Sequence, residues 1–91
     1  MSAAPAGAPR IAVYTRPGCH LCELLLEELA PLVRERAVLE TRDVDAREDW
    51  RHAFGVRIPV VEIEGSVVCE GRLDVPAVVG ALRAASSAGH I

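Results

Sequence analysis

Residues 14–29, YTRPGCHLCELLLEEL, set two thiols, Cys19 and Cys22, three positions apart where an apolar run gives way to helical periodicity. Such a pair has three possible uses: a redox couple, half of a metal site, or two small unreactive side chains. A thiol attacks only as thiolate. At the start of a helix its pKa falls from about 8.5 to roughly 3.5–7.5, because first-turn N–H groups and the positive end of the helix dipole favour the anion. Cys19 is placed to receive both effects. Cys22, one turn deeper on the same face, brings the sulfurs within bonding reach. Cys19 would attack a substrate disulfide, and Cys22 would attack the resulting mixed disulfide, releasing the reduced substrate.

The metal alternative needs more ligands, and Cys19, His20, Cys22 and Cys69 make a possible four-ligand set. Against it, Cys69 stands in a strand pattern with no second Cys or His beside it, and His20 should point away from the sulfurs. Cys69 reads as a buried strand residue. His20 either favours the thiolate when protonated or is simply exposed.

The elements that must position these residues follow from periodicity and punctuation. An apolar run over residues 11–15, bounded by Arg-Pro-Gly, reads as a buried first strand, and Pro17-Gly18 lets the chain turn sharply into a helix from Cys19. Leu21, Leu25, Leu29 and Leu32, with Leu24 and Val33 beside them, form an apolar stripe opposite Glu23, Glu27 and Glu28. Pro31 should kink or shorten that helix. Residues 37–45 read as a second strand interrupted by charges. Asp45, three before Glu48, then forms a capping box for a short helix over residues 46–54 that stops at Gly55. Two further strands, PVVEIE and VVCE, are joined through Gly65 and Ser66, which suit a type II′ turn. Asp74 caps a last helix over residues 75–85, with Pro76 tolerated in its first turn. The order is βαβαββα. The first two strands are then parallel, the last two form a hairpin, and one mixed four-stranded sheet carries helices on both faces.

Composition narrows the function. The chain of 91 residues is one small domain, and with single Trp, Tyr and Phe residues its core must be aliphatic. Every base is Arg, interleaved with acids that exceed the bases by three, a poor pattern for nucleic-acid binding. No apolar run reaches the roughly 18 residues of a membrane span. Residues 1–9 read as a disordered Ala/Pro/Gly leader rather than an export signal, and residues 86–91 as a disordered tail. The expected compartment is therefore the cytoplasm, where close Cys pairs tend to be catalytic or metal-binding; the odd count of three cysteines also argues against a disulfide-stapled scaffold. Trp50 should pack on one side of its helix, while His52 and His90 carry no signal.

YTRPGCHLC, VRIPVVEIEG and CEGRLD, at this spacing, resemble the glutaredoxin-like branch of the thioredoxin superfamily over residues 11–85, within a domain of residues 10–85. The resemblance implies an α/β thioredoxin-like fold. It also implies a thiol-disulfide oxidoreductase that reduces protein disulfides or glutathione mixed disulfides. Such a protein would be a monomer with no bound organic cofactor, and glutathione or another reducing thiol would donate its electrons. By the same resemblance Cys19 matches the nucleophile and Cys22 the resolving thiol. Pro59 matches the cis-proline beside the site, the Ile58 backbone the edge that pairs with a bound thiol's peptide, and Arg16 the basic residue that meets a glutathione carboxylate.

The chain departs from the family at two places. His20 and Leu21 stand where an aromatic residue is common. The run Glu70, Gly71, Arg72, Leu73 replaces a double Gly followed by a polar residue and Asp, so that Gly71 keeps one glycine and Asp74 lies one place late. A reading from another class is a non-catalytic carrier that holds a metal or iron-sulfur cluster through Cys19.

Overall fold

A computed structural model describes residues 7–88. The strands are β1 (Arg10–Thr15), β2 (Val38–Asp43), β3 (Val60–Ile63) and β4 (Ser66–Glu70), and the helices are α1 (His20–Val33), α2 (Glu48–Phe54) and α3 (Val75–Ala88). They form one sheet in the order β2-β1-β3-β4, with β1 parallel to β2 and antiparallel to β3. This is the mixed four-stranded α/β architecture expected. The apolar run Ile11–Tyr14 is buried throughout, as an interior strand covered on both faces requires.

Alternation along β1 divides the core in two. Ile11 and Val13, with Val61 and Ile63 of β3, pack against Leu25, Leu29 and Val33 of α1 and Val78 and Leu82 of α3. Ala12 and Tyr14 face the other way, toward Val44 and Val60, with Trp50, Phe54 and Ile58 closing over them. All three aromatic residues meet there: the Tyr14 ring lies 4.3 Å from that of Phe54 and 5.6 Å, edge-on, from that of Trp50. The Tyr14 hydroxyl accepts from Arg42 Nη1 at 2.8 Å and donates toward the Glu62 carboxylate at 3.3 Å. Burial raises the Tyr14 pKa, with the Arg42 hydrogen bond opposing it.

Local chemistry corrects several expectations. The buried seam of α1 is Cys22, Leu25, Leu29 and Val33, so Leu25 and Leu29 stay as expected, Cys22 and Val33 stand in for Leu21 and Leu32, and Leu21 and Leu24 are 51% and 41% exposed. Cys22 takes the inward position expected of Leu21. Only Leu32 and Val33 follow Pro31 before α1 ends, in keeping with a helix shortened by proline. Strand β2 is shorter than residues 37–45. Asp45 caps no helix: Asp43 caps a 3-10 turn, Val44–Ala46, by accepting from the Asp45 N–H at 2.9 Å, and α2 starts later, without a side-chain cap.

The helix α2 does stop at Gly55, although in right-handed rather than left-handed geometry. A Cβ there would lie 2.5 Å from the Arg51 carbonyl oxygen, so glycine serves close approach. In the hairpin, Ile63 pairs with Ser66, and the two turn residues are Glu64 and Gly65, with φ of 49° and 83°. Two left-handed residues make a type I′ turn rather than the II′ turn expected at Gly65-Ser66. Asp74 caps α3 as anticipated, its Oδ1 accepting from the Ala77 N–H at 3.1 Å. That helix runs to Ala88, into part of the expected tail. Residues 1–6 of the leader and 89–91 of the tail, including His90, lie outside the described residues.

Candidate active site

The site begins with the turn that leaves β1. Pro17 and Gly18 occupy its centre, Gly18 with φ 82°, and the Cys19 N–H donates to the Arg16 carbonyl at 3.1 Å. Proline before a left-handed glycine is the arrangement of a type II turn. It sets Cys19 at the N-cap of α1, where its Sγ accepts from the Cys22 N–H at 3.2 Å and its carbonyl accepts from the Glu23 N–H at 3.1 Å. The Cys19 sulfur thus does what a Ser or Asp oxygen does at other helix starts. The same N–H donor and the helix dipole stabilise a thiolate at this atom.

Cys19 and Cys22 are joined by a disulfide, with Cα atoms 5.2 Å apart. Their exposures differ: Cys22 is 2% exposed at the base of the site, while Cys19 is half-buried and faces a groove of about 380 Å³. Thr15, Arg16, Glu23, Leu26, Thr41 and Asp43 help to line that groove. A second groove, about 340 Å³, lies between the outer face of α1 and the β4–α3 loop, against Leu21, Leu24, Gly71, Arg72 and Leu73.

Pro59, buried, precedes β3, and its bond to Ile58 is cis. Tyr14 pairs with Val60, so continuing the register sets Pro59 opposite Thr15, at the sheet edge from which the Cys19 turn departs. The Gly71 N–H, at φ 77°, donates to the Pro59 carbonyl at 2.8 Å and ties the β4–α3 loop to the same edge. Glu70, the acid in place of a glycine, accepts from Arg57 at 2.6 and 2.9 Å.

The expected site residues therefore divide. Cys19, Cys22, Pro59 and Gly71 gather at one end of the sheet with Ile58 beside them, while Asp74 spends its carboxylate on the α3 cap. Arg16 comes to the groove with its guanidinium already engaged. Nε and Nη2 donate to the two Asp45 oxygens at 2.8 and 3.1 Å, and Nη1 donates to the Gly55 carbonyl at 3.2 Å. This fork raises the Arg16 pKa and holds the Asp45 carboxyl below its usual range. Sequence reasoning missed the pair because Asp45 was assigned to a helix cap. The parallel register contained the signal, since Thr15 opposite Asp43 brings Arg16 alongside residues 44–45.

Among the described residues no three His, Cys, Asp or Glu side chains gather as a metal-binding set. Cys69 pairs with Val61 in the sheet and packs against the α1/α3 core, and the His20 side chain is 80% exposed, 3.9 Å from Glu23. None of the described helices is long and apolar enough to cross a membrane.

A four-stranded mixed sheet with three helices, and a disulfide at the start of the first helix, define a thioredoxin-fold protein carrying a redox-type Cys pair. The chain belongs to the glutaredoxin-like domain family (DUF836), whose model matches residues 10–83. Its structure is similar to that of a structural-genomics target protein from X. campestris, with 27% identity, 81% of this chain and 96% of that one covered, and a TM-score of 0.66. It is also similar to a mutant thioredoxin from Halobacterium salinarum, at 25% identity, 86% and 74% coverage and a TM-score of 0.60. The germline-specific thioredoxin Deadhead of Drosophila melanogaster shares the fold at 17% identity, 94% and 84% coverage and a TM-score of 0.52. No curated protein matches the chain.

Proposed function

We propose that this protein is a dithiol oxidoreductase that reduces protein disulfides or glutathione mixed disulfides through Cys19 and Cys22. The observation that carries the reading is the unequal placement of the two sulfurs. Cys19 borders a groove with a backbone donor on its sulfur, and Cys22 is buried directly behind it. Reduced Cys19, as thiolate, attacks one sulfur of the substrate disulfide, forms a mixed disulfide and expels the first substrate thiolate. Cys22, deprotonated, attacks the Cys19 sulfur and expels the second. The two protons of the dithiol end on the released thiols, and two electrons have moved from protein to substrate. A thiol donor, glutathione or another, returns the protein disulfide to the dithiol, and no resident organic cofactor takes part.

In this reading the Ile58 backbone, turned by the cis bond to Pro59, pairs with the peptide of the incoming thiol, while the Gly71 N–H holds the Pro59 carbonyl. The test pairs disulfide turnover with metal analysis and a visible absorption spectrum on anaerobically purified protein. Turnover by metal-free protein is the expected result. Stoichiometric iron or zinc without turnover would replace the reading with that of a metal or cluster carrier held by Cys19.

A further inference from the structure

Charge in the Cys19 groove gives the substrate a chemical class. Arg16 is the one cation among the residues that line it, and Asp45 holds that cation through both carboxylate oxygens. Two acids of the groove are left over. Asp43 accepts from the Asp45 N–H and feels Arg16 through space without a hydrogen bond to it, and Glu23 has the exposed His20 3.9 Å away. Arg16, with Arg51 acting on Asp45 from outside the groove, offsets only part of the charge of Asp43, Asp45 and Glu23, and an incoming disulfide meets a net negative charge.

We propose that Asp45 sets the charge preference of this site: by withdrawing Arg16 it leaves Asp43 and Glu23 to select peptide disulfides flanked by Lys or Arg. Anionic partners are disfavoured, among them glutathione, which carries two carboxylates against one amine. The inference rests on the proposed dithiol chemistry and narrows its substrates. In that chemistry a Lys or Arg beside the substrate cysteine pairs with Asp43 or Glu23 while Cys19 Sγ displaces the first sulfur. The charges take no part in the electron transfer and act on encounter and positioning.

Single-turnover reduction of three otherwise identical disulfide peptides, flanked by Lys, Ser or Glu, tests this with pre-reduced full-length protein freed of reductant. At low ionic strength the Lys peptide should react about 3- to 10-fold faster than the Glu peptide, the range of a few exposed charge pairs, with the Ser peptide between them. The ratio should approach one in about 1 M salt, where the screening length is roughly 3 Å.

Asp45→Asn, which returns the Arg16 charge to the groove, should lower the Lys/Glu ratio about twofold and speed the Glu peptide in absolute terms. Glu23→Gln, on the exposed surface of α1, should lower the ratio without any demand on folding. Glu64→Gln, in the hairpin turn at the opposite end of the sheet, should leave it unchanged and so separates the groove from the net charge of −3. Equal rates for the three peptides, a faster Glu peptide, or equal effects of Glu23→Gln and Glu64→Gln would overturn the charge preference and leave the dithiol chemistry standing. Failure to reduce even the Ser peptide would overturn both.

Discussion

Cys19 and Cys22 share a helical turn but not an environment. The buried sulfur cannot meet a bulky substrate first, because α1 packs its seam, including Cys22, inward. In the proposed reaction Cys19 makes the first bond. Cys19→Ser should therefore abolish disulfide reduction, whereas Cys22→Ser should stop at a mixed disulfide on Cys19. Mass spectrometry after treatment with a disulfide peptide reads the outcome directly. An adduct on Cys22 in the Cys19→Ser protein, with none on Cys19 in the Cys22→Ser protein, would reverse the assignment. Cys69→Ser should retain activity, since that thiol packs against the core on β4.

At the scale of elements, α1 both seals the core and presents the site, and the place of Cys22 rather than Leu21 in its buried seam matters for both. Leu29 is 0% exposed beneath the sheet, whereas Leu21 lies in the open groove beside Leu73. Leu29→Ala should cost about 2–5 kcal/mol of stability, and Leu21→Ala roughly 0.5 kcal/mol or less. Denaturant unfolding of the two variants separates them, and equal losses would mean that the stripe lies as periodicity alone suggested. Periodicity marked both residues as apolar helix positions. It could not say which faced inward, because Cys22, small and apolar enough for the inner seam, competes there with the larger Leu21 one position away.

The same limit acted at Asp45. Its spacing to Glu48 fits a capping box, and local rules cannot weigh a cap against a guanidinium supplied 29 residues earlier. The order of elements along the chain, the parallel β1–β2 pair, the β3–β4 hairpin, the Asp74 cap and the Cys19 helix start were legible because each depends on local signals or on chain connectivity. The turn type was not, since Glu64 adopts positive φ against its own preference to satisfy the Ile63–Ser66 register.

For the molecule as a whole, the sheet works as a platform with its chemistry at one end. Tyr14, Trp50 and Phe54 pin α2 on one face, α1 and α3 cover the other, and the Cys19 turn, Pro59 and Gly71 converge at the edge between them. Gathering these residues has a purpose only if the two thiols interconvert with a disulfide as one unit. A redox titration of the full chain in dithiothreitol buffers, quenched by acid and alkylation and read by intact and peptide mass spectrometry, measures that most directly. Cys19 and Cys22 should lose alkylation together in a single two-electron transition, with Cys69 alkylated at every potential. Thiols that stay reduced across the range, or oxidation that pairs Cys69 with either of them, would contradict the account.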